Sequence, residues 1–249
     1  MNRGKKPLLQ TMGREMTITT HGFDDIPEGP NVFVANHACM RDIFAIPAGL
    51  PEDCDVVISS RLAYKNSSVY TAVRRLVIEN ALHTIPLEVH GGKEYLEVGL
   101  KMAKQALLDG RSLLIFPEGA YTGSAQVTKG RTGASRILFG ASIGGVKPNL
   151  LPVGIHYEPW PTDLDAYAPQ NEQIHVTLCG PIDYTAAYRD YTASTDHKSR
   201  RRALHAPIDM AMLAIAKATD LPYIDEPIEL WPRKTMILES GEEVPIPDY

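Results

Sequence analysis

The feature that most constrains the fold is the alternation of short apolar segments with helix-like stretches between residues 31 and 155. The segments that predict buried strands are Val32–Ala35, Asp55–Ile58, His83–Leu87, Ser112–Phe116 and Leu151–Ile155. Between the third and fourth of these, leucine and alanine recur every three to four residues from Lys93 to Asp109, and Gly110 follows as a stop. This alternation predicts an α/β fold with a mixed, largely parallel sheet flanked by helices.

Three further helices are predicted besides the one at Lys93–Asp109. One begins at Ser67 or Ser68 and ends near Glu79, and a second covers 132–142 before two glycines. The segment 196–220 has an amphipathic pattern, which we expect Pro207 to interrupt. With no strong linker, we predict one domain over residues 1–225, a motif-bearing core at 31–157, and an acidic, proline-rich tail over 226–249.

Composition narrows the class of protein. The 249 residues are 44% hydrophobic and 22% charged, which is typical of a folded globular chain and excludes collagen or disorder. The longest uncharged stretch in the apolar middle, Ile137–Val146, is too short for a membrane-spanning helix. No apolar region follows the basic start, and the three cysteines are widely spaced, so a cytoplasmic protein is expected.

Charge is unevenly distributed along the chain. The net charge of −5 is concentrated after residue 219, which leaves the rest of the chain nearly neutral. Basic clusters at Arg3–Arg14 and Lys198–Arg202 have no interleaved aromatic residues, so no nucleic-acid site is predicted. Apolar neighbours of these clusters instead suggest a peripheral contact with an anionic membrane, through Leu8, Leu9 and Met12 or through Ala203, Leu204 and Ile208.

A histidine and an aspartate follow the first predicted strand, five residues apart. His37 leaves the strand, and Asp42 would fall in the first turn of a helix if the chain bends between them. A carboxylate that accepts one imidazole N–H fixes the tautomer, and the other nitrogen can then take a proton from a hydroxyl group. The pair predicts a general base with its orienting residue.

A second motif follows the predicted strand Ser112–Phe116. The residues Phe116-Pro117-Glu118-Gly119 place a candidate buried carboxylate between a rigid and a flexible residue. Ligands of α/β sheets usually bind at the carboxyl ends of the strands, so we expect this motif and His37 to lie at one edge.

The succession of motifs resembles the glycerolipid acyltransferases of the lysophosphatidic acid acyltransferase type. The matching positions are Asn36, His37 and Asp42; Phe116, Pro117, Glu118 and Gly119; Lys129, Gly133 and Ala134; and Pro152. The resemblance implies that His37 is a general base oriented by Asp42 and that Asn36 and the block around Glu118 bind substrate. It also implies transfer of a fatty acyl group from acyl-CoA or an acyl carrier protein to a lysophospholipid-like acceptor, with no cofactor or metal.

Two arginines that usually hold the acceptor phosphate in this family are absent, because Val89 and Tyr121 stand where they are expected. Arginine binds two phosphate oxygens at once, which neither residue can do. Either Arg61, Lys93, Lys129 or Arg131 supplies the charge, or the acceptor is a non-phosphorylated or amine compound.

Two other functions are weighed. Gly140–Gly144 matches the G-x-S-x-G pattern of serine hydrolases, with Ser142 as nucleophile and Asp163 and His197 as partners, but the expected strand-turn-helix context is missing. A non-catalytic lipid-binding relative is the other, against which the retention of both His37 and Asp42 counts. His83 and His90 lack a third ligand at metal-site spacing, so no metal site is predicted.

Overall fold

The computed structural model describes residues 7–59, 77–78, 80–87, 93–166, 171–228, 235–237 and 243–245. The helices within these ranges are α1 (Pro7–Glu15), α2 (Asp42–Gly49), α3 (Lys93–Leu108), α4 (Gly133–Ile143), α5 (Thr185–Ala193) and α6 (His197–Thr219). The strands are β1 (Thr17–His21), β2 (Asn31–Ala35), β3 (Cys54–Ser59), β4 (His83–Leu87), β5 (Ser112–Ile115), β6 (Val127–Thr128), β7 (Asn149–Glu158), β8 (Gln173–Leu178), β9 (Tyr223–Ile224), β10 (Thr235–Ile237) and β11 (Glu243–Pro245).

Seven of the strands form one sheet in the order β1-β8-β7-β2-β5-β3-β4. All neighbours pair in parallel except β7 and β8, which are antiparallel, so the sheet is mixed and largely parallel as predicted. The five predicted strands correspond to β7, β2, β5, β3 and β4, which form the centre of the sheet and its β4 edge. Strand β7 is longer than expected and continues to Glu158.

Two hydrophobic layers cover the sheet. On one face, Phe33, Leu114 and Ile155 pack with residues of α1 and α2. On the other face, Val34 and Leu113 pack with residues of α3, α4 and α6. The period-two alternation of the strands explains this division, because successive side chains point to opposite faces. The result is a three-layer α/β/α arrangement.

Helix α6 differs from expectation because Pro207 does not interrupt it. The helix begins after Asp196, whose side chain accepts a hydrogen bond from the Ser199 backbone N–H, and ends at Asp220 in the left-handed conformation. Pro207 is buried inside the helix, where it packs with Leu204 and Ile208 on the core side. Tertiary packing therefore outweighs the loss of one backbone hydrogen bond.

The apolar residues suggested as membrane anchors are buried or partly buried. Leu9 is 3% exposed, while Leu8 and Met12 pack against the core of the α1 and α2 layer. Ala203, Leu204 and Ile208 also face the interior. Burial leaves Leu9, Ala203, Leu204 and Ile208 little surface for a membrane contact, whereas Leu8 and Met12 keep part of their surface exposed. No helix in the described ranges is long and apolar enough to cross a membrane.

Two sequence predictions fall partly outside the described residues. For the helix predicted to end near Glu79, residues 77, 78, 80 and 81 are helical, and the rest lies outside the described ranges. Within the predicted tail, β10 and β11 pair as two antiparallel strands. The boundary between residues 225 and 226 stays a prediction.

Candidate active site

The two sequence motifs meet because β2 and β5 are neighbouring parallel strands. Val34 is aligned with Ile115, so the residues that follow each strand emerge at the same edge of the sheet. The backbone N–H of His37 donates to Glu118 Oε2 at 2.6 Å. The predicted convergence of the two motifs is confirmed by this contact.

His37 and Asp42 form a hydrogen-bonded pair across a tight turn. His37 Nδ1 lies 2.8 Å from Asp42 Oδ2, and Asp42 is the first residue of α2. A carboxylate is favoured there, since unpaired N–H groups point outward from the start of a helix. The chain bends between the two residues as the spacing predicted.

The Asp42 carboxylate is fully buried and is held from several sides. Its Oδ2 also accepts from the backbone N–H groups of Ala38 at 2.5 Å and Cys39 at 3.0 Å. Its Oδ1 accepts from the Tyr157 hydroxyl at 2.6 Å and faces the Cys39 thiol at 3.6 Å. These donors hold the carboxylate in one orientation toward the imidazole.

Burial beside Asp42 affects the two weaker acids that surround it. Desolvation, reinforced by the Asp42 charge, raises the pKa of Cys39 to about 12. The same causes raise the pKa of Tyr157 well above its ordinary value. Both groups therefore stay protonated at neutral pH and act as donors to the carboxylate.

The His37 ring is held between two aromatic side chains. It stacks on Phe116 with ring centroids 4.2 Å apart and meets the edge of Tyr121 at 5.5 Å. Its side chain is 11% exposed. Because Nδ1 contacts Asp42, Nε2 is the nitrogen that remains for a substrate hydroxyl group.

The Glu118 side chain lies in the interior, where it contacts other parts of the fold. The side chain is fully buried, and its Oε1 accepts from Thr128 N at 2.7 Å and Thr128 Oγ1 at 2.9 Å. Burial raises the pKa of Glu118 to about 8. The hydrogen bonds from Thr128 and from the His37 N–H act in the opposite direction but are outweighed by burial. Glu118 therefore joins the turn after β2 to strand β6 and fixes the backbone that carries His37.

The rest of this block forms a turn beneath the histidine. Gly119 adopts a φ of 83°, a conformation that a side chain would strain. The Pro117 carbonyl accepts from Arg131 N at 2.7 Å, and the Thr122 N–H donates to the His37 carbonyl at 2.7 Å. The turn thus holds both the backbone N–H and the backbone carbonyl of His37.

Of the predicted cationic residues, the two whose side chains the structure describes contact other residues of the chain. Lys129 Nζ lies 2.8 Å from Asp225 Oδ1. Arg131 Nη2 donates to the Ile228 carbonyl at 2.8 Å, and burial lowers the pKa of this arginine. Arg61 and the side chain of Lys93 lie outside the described residues.

Asn36 lies beside the site, but its amide group is used by the fold. Its Nδ2 donates to the Ile155 carbonyl at 3.0 Å, and its Oδ1 accepts from the Ile155 N–H at 2.8 Å. The side chain is buried. Asn36 therefore joins the end of β2 to β7, and we propose a positioning role for it in place of the expected substrate contact.

Two features of the site were not predicted from sequence. Tyr157 contacts Asp42 from β7, and its spacing from Val153 and Ile155 is the signal that places it on the α2 face. Arg41 is fully buried, and its Nη2 lies 2.6 Å from Glu172 Oε1. No sequence pattern pairs Arg41 with Glu172, because an ion pair across the fold leaves no local periodicity.

The Arg41 side chain also holds the segment that follows β7. Its Nη1 donates to the carbonyl groups of Asp163 and Ala166, each at 3.2 Å. Within the same segment, Leu164 accepts a hydrogen bond from the Met40 N–H at 2.8 Å. These contacts bring residues 163–166 against the turn that carries His37.

The alternative sites have weaker geometry. Ser142 lies in the last turn of α4 and donates to the Leu138 carbonyl at 3.0 Å, so it does not sit on a strand-turn-helix elbow. In the described part of the chain no group of three or more His, Cys, Asp or Glu residues could hold a metal ion. His83 faces Asp53 at 3.4 Å, and His90 lies outside the described ranges.

The fold and site define an α/β protein with a histidine–aspartate pair at the carboxyl edge of its sheet. Residues 17–156 match the family model named Acyltransferase, which is more than half of the chain, and the protein therefore belongs to that family. The family resemblance seen in the motifs is thereby confirmed, and the chain is an acyltransferase by family.

Two other comparisons complete the picture. Among solved structures, the chain is similar to the 1-acyl-sn-glycerophosphate (LPA) acyltransferase PlsC from Thermotoga maritima. That similarity has a TM-score of 0.47 and 17% sequence identity, over 82% of this chain and 77% of the other. A search of curated proteins found no match.

Proposed function

We propose that this acyltransferase moves a fatty acyl group from a thioester donor to a hydroxyl group of a lysophospholipid-like acceptor. His37 acts as general base and Asp42 orients it. The observation that carries this proposal is the 2.8 Å contact between His37 Nδ1 and Asp42 Oδ2, since it leaves Nε2 for the acceptor.

The reaction requires few groups from the protein. Nε2 takes the proton as the acceptor oxygen forms a bond to the thioester carbon, and the carbon–sulfur bond then breaks. The protonated His37 returns its proton to the departing thiolate, so the histidine ends unchanged. Asp42 stabilises the imidazolium form between these steps, and the contacts to Phe116 and Tyr121 limit rotation of the ring.

The donor is acyl-CoA or an acyl carrier protein under this proposal. Either one supplies the same thioester, so no residue described above distinguishes them. Parallel assays with palmitoyl-CoA and palmitoyl-acyl carrier protein at equal concentration separate the two by the rate of product formation.

We propose that the enzyme works in the cytoplasm at the inner face of the membrane. The surface that supports this proposal is the basic start of α6, where Lys198, Arg201 and Arg202 are exposed. Positive charge at a surface attracts anionic lipid. Flotation with phosphatidylglycerol vesicles should exceed flotation with phosphatidylcholine vesicles, and equal recovery from both would contradict this contact.

A second acceptor class follows from the cations of the site. Lys129 contacts Asp225 and Arg131 contacts the Ile228 carbonyl, so neither is free to hold a phosphate without rearrangement. This observation favours an acceptor without a phosphate, such as a monoacylglycerol or a long-chain amine. The phosphorylated acceptor remains the main proposal, with Arg61 as its candidate cation.

A matched set of acceptors tests the proposal. Lysophosphatidic acid and monoacylglycerol share the same glycerol hydroxyl and differ only in the phosphate, and a long-chain amine replaces the nucleophile. With palmitoyl-CoA as donor, mass spectrometry should detect phosphatidic acid as the main product. Diacylglycerol or amide as the main product would support the second acceptor class. No acylated product from any acceptor, together with lipid binding, would support a non-catalytic relative.

A further inference from the structure

Tyr157 is one of two features near the site that neither the sequence motifs nor the proposed chemistry uses. It lies in β7, one residue before that strand ends, and is 1% exposed. Its hydroxyl donates to Asp42 Oδ1 at 2.6 Å. The opposite oxygen of the same carboxylate contacts His37. A single carboxylate therefore connects the phenol to the imidazole.

The environment of this hydroxyl points to a role beyond packing. A buried phenol satisfies its hydrogen-bonding need with any backbone carbonyl, as Tyr184 does with the carbonyl of Pro148. Tyr157 instead donates to Asp42, the ionisable group that contacts the His37 imidazole. Hydrogen bonds to a charged group are about twice as strong as those between neutral groups, so the Asp42 orientation depends strongly on this donor.

We propose that Tyr157 is a positioning residue of this acyltransferase, which holds the Asp42 carboxylate and through it sets the orientation of His37. This inference rests on the proposed role of His37 as general base. Tyr157 touches neither the imidazole nor the reacting atoms in this arrangement, and it acts through Asp42.

The direction of the effect follows from the donors to Asp42. Without the Tyr157 hydroxyl, Asp42 Oδ1 loses its donor at 2.6 Å and keeps the weaker Cys39 thiol at 3.6 Å. The carboxylate is then held less firmly toward His37 Nδ1, which should lower kcat more than it changes KM.

Other groups also face this network, and Tyr157→Phe does not remove any of them. They are the Cys39 thiol, the Arg41 guanidinium 5.8 Å from the Tyr157 ring centroid, its partner Glu172, Glu118 at the His37 N–H, and Tyr121 with its partner Asp165. A difference between the native protein and the variant therefore reports the hydroxyl itself.

The test uses NMR spectra of the histidine rings in the full chain at pH 7. Tyr157→Phe should move the His37 ring signals, because the ring follows the Asp42 carboxylate, whereas Tyr184→Phe removes another buried tyrosine hydroxyl and should leave these signals unchanged. His37→Ala identifies the His37 signals. Unchanged His37 ring signals in Tyr157→Phe would overturn the inference, whatever the activity.

A second measurement needs no substitution at Tyr157. Coupling between two groups is reciprocal, so His37→Ala should shift the signal of the ring carbon that bears the Tyr157 hydroxyl. The corresponding Tyr184 carbon should not move. A Tyr157 signal that is the same in His37→Ala as in the native protein would also overturn the inference.

Turnover separates this inference from the proposed function. With palmitoyl-CoA and the acceptor that gives product, Tyr157→Phe should lower kcat by about tenfold, as expected for a hydrogen bond to a charged group. If His37→Ala keeps full turnover, the proposed function fails. If His37→Ala is inactive and Tyr157→Phe matches the native kcat and the native His37 ring signals, only the role of Tyr157 fails.

Discussion

The buried ion pair between Arg41 and Glu172 gives a prediction that can be worked through in energetic terms. The Arg41 side chain is fully buried, the Glu172 side chain is 2% exposed, and the charged atoms lie 2.6 Å apart. Removing one member of such a pair leaves an uncompensated charge in the interior, which costs about 3–5 kcal/mol. Glu172→Gln should therefore lower the free energy of unfolding by an amount in that range.

Arg41→Met should cost more than Glu172→Gln. Besides stranding Glu172, it removes the hydrogen bonds to the carbonyl groups of Asp163 and Ala166, each worth about 1 kcal/mol. The double variant leaves no unpaired charge, so its loss should be about 2–3 kcal/mol, smaller than that of either single variant. The coupling energy between the two positions should therefore be about 5 kcal/mol or more.

Urea denaturation at pH 7, followed by circular dichroism, measures the four free energies of the cycle. The Lys129–Asp225 pair is the matched control, since these side chains are 29% and 73% exposed and should couple by no more than about 1 kcal/mol. Additive single effects at Arg41 and Glu172, within about 0.5 kcal/mol, would refute the reasoning.

Two further predictions concern the turn that carries the second motif. Glu118 has a pKa of about 8 in the folded protein, so it holds its proton more tightly when folded than when unfolded. As the pH rises, the native protein should therefore lose stability between about pH 5 and pH 8, by up to about 1.4 kcal/mol per pH unit. Glu118→Gln should flatten that slope, and parallel urea curves across this range check it. A Cβ at Gly130 would clash with Ile208 Cγ2, so Gly130→Ala should cost about 1–3 kcal/mol, whereas Gly133→Ala, with open space around the new carbon, should not destabilise. A Gly130→Ala melting curve equal to that of Gly133→Ala would contradict the packing at this turn.

Local chemistry made part of the fold and site predictable. His37 and Asp42 are five residues apart, and the end of an apolar strand indicates where the chain must bend between them. The helix predicted over 196–220 is likewise short-range in origin, and the structure has it as α6, which begins after Asp196. Such contacts depend on nearby residues, so one sequence carries enough information for them.

The contacts that the sequence did not reveal join distant parts of the chain. Tyr157 and Asp42 are 115 positions apart, and Glu172 and Arg41 are 131 apart. Their pairing depends on the order of strands in the sheet, which no local pattern contains. Strand β1 was missed for a related reason, because it lies at the sheet edge and is mostly exposed, without the apolar signature of a buried strand.

The prediction of a phosphate-binding role for Lys129 and Arg131 depended on charge alone. The structure gives Lys129 a partner in Asp225, 96 positions away, and gives Arg131 a backbone carbonyl 97 positions away. A basic residue in a motif therefore signals an available cation only when its folded partners are known. The acceptor comparison described above tests which consequence holds for this enzyme.

The most direct test of the central claim is product formation by His37→Ala. With palmitoyl-CoA and the acceptor that the native enzyme acylates, loss of the general base should lower the rate by about 10²- to 10⁴-fold without changing the melting temperature appreciably. His21→Ala removes an exposed histidine in β1 and should keep the native rate. A folded His37→Ala variant that forms product at the native rate would contradict the assignment of His37 as the base.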